Sequence, residues 1–105
     1  MNSRDKGARG EREWAKFLRS CGFDARRGQQ YSGGHDSPDV VVPDLAGVHF
    51  EVKRTERFRL QSAVAQAAAD AGDQVPVVVT RQNRGEWLCV LRAVDLLEMF
   101  KEVQS

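Results

Sequence analysis

Cysteine is scarce in this chain, and the two it has, Cys21 and Cys89, stand far apart without CxxC spacing. A disulfide framework and a structural zinc site are therefore not expected, and both thiols read as small buried hydrophobes in a reducing compartment. No apolar run approaches the roughly 18 residues a membrane-spanning helix needs. The charged opening MNSRDKGARGERE has no apolar region behind it, so no secretory signal is expected there and a cytoplasmic location is. Internal repeats, low-complexity segments and long linkers are missing too. With 105 residues and no GxGxxG, a doubly wound dinucleotide-binding fold is excluded. That length predicts one domain over residues 1–105 around one core.

Charge of one sign is also lacking, since the formal net charge is only +1. Its distribution is uneven. Residues 1–34 carry eight Lys/Arg against four Asp/Glu, and residues 52–60 carry Lys53, Arg54, Arg57 and Arg59 against Glu56 alone. Residues 61–105 lean the other way, with four basic and six acidic side chains. Two basic segments flanking one stretch suit a nucleic-acid face, although a solvated helix face has the same composition.

What the chain has is a sequence of clear periodic segments. Trp14, Phe17, Leu18 and Cys21 recur at i, i+3, i+4 and i+7, which predicts an amphipathic helix over residues 9–21 stopped by Gly22. FDARRG reads as a short strand, QQYSGGHDSP as a polar glycine-rich loop, and DVVVP as a short strand buried on both faces. GVHFEVK alternates, with Val48, Phe50 and Val52 on one face and His49, Glu51 and Lys53 on the other. An alanine-rich helix follows over residues 60–71, small enough in side chain to lie close to a sheet and ended by Gly72. VPVVVT is a further buried strand, joined through RQNRGE to a hairpin partner, WLCVL. A last helix over residues 94–103 presents Leu96, Leu97, Phe100 and Val103. The order α-β-β-β-α-β-β-α predicts an α/β fold, a three-layer-like sandwich around a mixed central β-sheet. Trp14 and Trp87 are assigned to core or interface by their apolar spacing.

The chemistry concentrates in SPDVVVPDLAGVHFEVKR. Glu51 and Lys53, two residues apart on one strand, share a face at about 6.6 Å along it. Asp39 opens the preceding strand, and sequential strands usually pair, so two carboxylates and an ammonium are expected to converge. Such a group either forms a structural salt bridge or holds a hard divalent cation, because adjacent carboxylates repel and a cation relieves them. In the second case it has the parts for metal-assisted phosphodiester hydrolysis, with Lys53 beside the reacting phosphate. His49 points to the same face one residue pair further out, as a structural group or a neighbour of the site. His35 reads as a surface histidine, and Asp36 and Asp44 as loop and turn residues.

PDVVVPDLAGVHFEVK resembles the signature of the PD-(D/E)XK nuclease superfamily, a Pro-Asp followed after a spacer by Glu-x-Lys. KGARGEREWAKFLRSCGF further resembles the first helix of archaeal-type Holliday-junction resolving enzymes and their phage-borne relatives. The resemblance implies a restriction-endonuclease-like fold and Mg²⁺ as cofactor, with Mn²⁺ a possible substitute. It makes Asp39 and Glu51 metal carboxylates and Lys53 the catalytic lysine, and adds Glu11 from the first helix. Glu13 competes with Glu11 for that last role. A glutamine on the alanine-rich helix of such enzymes suggests Gln66 as a neighbour of the site. Lys6, Arg9, Arg26, Arg27, Arg54, Arg57 and Arg59 are the expected phosphate contacts, joined by Ser32 from the glycine-rich loop. The implied activity is structure-selective cleavage of branched DNA, the four-way junction first. Paired cuts need two active sites and hence a C₂ homodimer, with its apolar surface drawn from GEWLCVL and LLEMF. Another nuclease of the superfamily, nicking or repairing DNA, and a catalytically silent DNA-binding subunit are the alternatives; the intact set of four charged groups speaks against the silent one.

Overall fold

Alternation in one strand organises the molecule. The computed structural model describes residues 3–28 and 40–104, with side chains from residue 7 onward. The central strand, β3 (Val48–Lys53), lies parallel to β4 (Val75–Thr80), and the connection between them is helix α2 (Leu60–Ala71). β4 pairs antiparallel with β5 (Leu88–Leu91), as the hairpin reading expected, which makes the sheet mixed with order β3-β4-β5. Helix α1 (Ser3–Ser20) covers one face of this sheet and α2 the other, giving helix, sheet and helix in three layers.

The two faces are built from different residues. On the α1 side Phe50, Val52, Val77 and Val79 pack with Trp14, Ala15 and Leu18. Trp14 sits at the middle of an aromatic group, with its ring centroid 5.4 Å from Phe50 and 5.1 Å from Trp87. On the α2 side Ala63 and Ala67 meet Val78. Methyl side chains let the helix axis approach the sheet closely, so the alanine run is a packing device as well as a strong helix former.

Helix α1 begins six residues before the expected Arg9 and ends at Ser20. Its first turns carry no apolar residue larger than Ala8, so periodicity could not mark them. Its end is sharply built: the Phe23 N–H donates to the Leu18 carbonyl at 3.0 Å and the Gly22 N–H to the Arg19 carbonyl at 3.0 Å. Gly22 takes φ +96, which completes a Schellman stop, with Phe23 and Leu18 in one apolar cluster. The buried stripe is Glu11, Trp14, Ala15 and Leu18. Phe17 and Cys21 lie outside it and are exposed, a correction to the expected stripe. Cys89 is exposed as well, so neither thiol is the buried hydrophobe that composition suggested.

The second correction concerns pairing. β2 (Val40–Val41) forms an antiparallel two-residue ladder with β1 (Arg26–Arg27), and among the described residues no ladder joins β2 to β3. Pro43 opens a 3₁₀ turn, Pro43–Leu45, directly after β2. Proline has no N–H to give and fixes φ, which ends strand pairing there. Val40 and Val42 are nonetheless buried in the α1-side core, so β2 is held by packing more than by a ladder. The last helix, α3 (Ala93–Gln104), has no buried residue. Leu97, Phe100 and Val103 are all more than half exposed on it.

Candidate active site

β3 presents His49, Glu51 and Lys53 toward α2 because the opposite parity is committed to the aromatic core. His49 and Glu51 are buried, at 5 % and 6 % exposure, and Lys53 is half-buried at the strand end. The His49 Nε2 and Glu51 Oε1 atoms are 3.8 Å apart. Lys53 Nζ donates to Gln66 Oε1 on α2 at 3.0 Å, and the Lys53 carbonyl accepts from the buried Thr80 hydroxyl at 2.7 Å. The lysine is thus fixed at both its backbone and its ammonium. Beyond it opens a cleft of about 200 Å³ lined by Lys53, Thr55, Arg57, Arg59, Ser62 and Gln66 among others. Three cations around one small hollow, with hydroxyls between them, give it a chemistry suited to an anion such as a phosphate group.

Two carboxylates and an imidazole stand close enough together to hold or border a divalent cation. One ligand atom each from His49, Glu51 and Asp70 lie within 4.8 Å of one another. Asp39 and Ser32 lie outside the described residues, as do His35 and Asp36, and so does the Lys6 side chain. Asp70 was not singled out from the sequence. Its signal was available, because Gln66 and Asp70 are spaced i, i+4 and share a helix edge.

Glu11 and Glu13 have separate environments. Glu11 is 7 % exposed, and its Oε1 accepts from Arg27 Nε at 2.7 Å, which ties α1 to β1. Glu13 is engaged elsewhere: it accepts from Arg54 Nε at 3.0 Å and lies 3.8 Å from Arg81 Nη1. Arg54 also donates to the Arg81 carbonyl and to Asn83 Oδ1, both at 3.0 Å. Its guanidinium therefore pins α1 to the β4–β5 turn. Gly10 stands at the same crossing. A Cβ there would lie 2.8 Å from Arg54 Cβ and 3.4 Å from Val52 Cγ1, so only glycine lets α1 pass this close to β3. Arg9, Arg26, Arg57 and Arg59 are exposed.

Known proteins place these features in context. The family described as "Phage putative PDDEXK endonuclease" matches over residues 2–105. A comparison with curated protein sequences found no match. Among solved structures, the chain is similar to Hjc of Archaeoglobus fulgidus, a Holliday junction resolvase from an archaeal hyperthermophile. The two share 25 % identity at a TM-score of 0.58, covering 82 % of this chain and 72 % of that one.

Proposed function

The chain belongs to the phage PDDEXK endonuclease family, and on that footing we propose that it is a Mg²⁺-dependent, structure-selective endodeoxyribonuclease that resolves four-way DNA junctions. The observation that carries this reading is the buried Glu51 two residues from a Lys53 held by Gln66 at the mouth of a basic cleft. Similarity to an archaeal junction resolvase supports the choice of branched DNA.

In this reading Asp39 and Glu51 would hold the cation, Mg²⁺ or in its place Mn²⁺, and Glu11, which stands on α1 and pairs with Arg27, would complete the site through water. The bound ion supplies Lewis-acid polarisation of a phosphate oxygen and a bound water of lowered pKa. Arg57 and Arg59 seat a phosphate in the cleft beside Lys53. The Lys53 ammonium faces the negative charge that develops on the scissile phosphate, and its bond to Gln66 spares it reorganisation when that charge appears. Arg9, Arg26 and Lys6 extend the contact along the backbone, with Ser32 and Arg27, while Arg54 contributes chiefly by holding α1 in place. Grip on phosphates reads shape and charge, not bases. Two symmetric cuts require two such sites, and the apolar residues exposed on β5 and α3 favour a second copy of the chain as partner in a C₂ dimer.

Cleavage of a fluorescently labelled four-way junction tests this, with linear duplex, single strand and a flap run in parallel. Paired symmetric nicks on the junction alone, lost with EDTA, are the expected result. Equal cutting of duplex or flap would discard the junction preference. Tight binding with no cutting in Mg²⁺ or Mn²⁺ would discard the enzyme.

A further inference from the structure

The polar side of β3 and one edge of α2 have nearly the same repeat. Alternate strand residues are about 6.6 Å apart, and residues four apart on a helix rise about 6.0 Å. Gln66 and Asp70 are therefore spaced to meet successive polar residues of β3, and they do so in opposite order. Gln66 bonds Lys53 at the strand end, and Asp70 falls beside His49 and Glu51 nearer its middle. The alanines Ala63, Ala67 and Ala71 hold the helix close enough for these short side chains to reach.

We propose that Asp70, acting through His49, positions the Glu51 carboxylate for the cation, as Gln66 positions the Lys53 ammonium. The inference rests on the nuclease reading above and adds two residues to it. A carboxylate that ligates a metal needs its outer side fixed, or it rotates away from the productive orientation, and partners of this kind are usually a polar group backed by a second one. Glu51 is buried, with His49 Nε2 3.8 Å from its Oε1 on the same strand face. His49 is itself buried, so its ring is confined by packing. Asp70 is exposed at the helix edge, and its carboxylate lies within 4.8 Å of a His49 ring nitrogen, close enough for its charge to act on the imidazole. Asp70 is a positioning residue here, and Glu51 the ligand.

The test is a Mn²⁺ titration of the DNA-free protein, read by the EPR signal of the free ion, alongside thermal melting. Asp70→Asn should raise the Mn²⁺ dissociation constant about tenfold, the low end of the usual cost of losing an outer partner. Its melting midpoint should stay at the wild-type value, because the residue is exposed. In a His49→Gln background Asp70→Asn should cause no further loss, since its effect passes through the ring. An unchanged Mn²⁺ constant in Asp70→Asn would overturn the proposal, and so would an equal loss in both backgrounds. Complete loss of binding in His49→Gln alone would make His49 a ligand and overturn it too. Glu51→Gln is the separate control: if it binds Mn²⁺ like wild type, the nuclease reading fails, whatever Asp70 does.

Discussion

The two faces of the β3–β4 layer differ as sharply as two proteins would. On the α1 face the side chains are aromatic and branched, and a tryptophan, a phenylalanine and five buried valines interlock. On the α2 face the helix offers methyl groups and two polar side chains, and the strand offers an imidazole, a carboxylate and an ammonium. One strand serves both, because successive residues point to opposite sides. On the proposed function, stability and chemistry are separated by parity: Phe50 and Val52 pack in the core, while Glu51 and Lys53 lie on the α2 side and Lys53 lines the cleft. A substitution on one face should leave the property of the other almost untouched.

The largest effect that would sharpen this contrast is expected from Glu51→Gln. Junction cleavage should fall to background while junction binding persists and the melting midpoint does not drop, because the change removes a buried charge without removing volume. Phe50→Ala, one residue away, should do the reverse. It should cost about 3–5 kcal/mol in denaturant unfolding, the usual range for a buried phenylalanine, while cleavage per folded molecule at low temperature stays near wild type. If Phe50→Ala instead removed cleavage from a fully folded protein, the separation would be broken.

Arg57→Ala with Arg59→Ala should weaken junction binding and lower the slope of log K against log salt by about 2, one unit for each lost phosphate contact. Arg54→Ala differs from both, because its guanidinium ties Glu13, Arg81 and Asn83 together. It should lower stability as well as binding, by about 1–3 kcal/mol for a charged hydrogen-bonded group. The finest contrast lies within α1. Alanine at Gly7 meets nothing within 4 Å and should raise stability by up to about 1 kcal/mol through helix propensity. Alanine at Gly10 gains the same propensity but meets Arg54 and Val52, a clash of about 1–3 kcal/mol, so the melting midpoint should fall.

Much of this layout was legible in the sequence where a segment carried a strong period. The spans of α2 and β4 follow from an alanine run, a glycine that adopts φ +59, and five strand formers around one proline. The projection of Glu51 and Lys53 to one side follows from the alternation of β3 alone. The β1–β2 ladder was not legible, because two-residue strands have no period and their partner is chosen by the core around Val40 and Val42. The early start of α1 escaped for the same reason, lacking apolar residues larger than Ala8 to mark it. Exposure of Cys21 and Cys89 depends on where a helix ends and where a sheet has its edge, which residue type does not encode. Asp70 was hidden differently. Its spacing to Gln66 was plain, but its meeting with His49 needs the antiparallel run of α2 along β3, a fact of tertiary structure.

The central claim is that the α2 side of β3 cuts phosphodiester bonds. Single-turnover cleavage of a labelled four-way junction in Mg²⁺, by wild type and by Glu51→Gln of equal melting midpoint, tests it most directly. The account predicts paired nicks from the wild type and none from the variant, with both proteins bound to the junction. Cleavage by Glu51→Gln at the wild-type rate would contradict it and move the reacting centre off this face.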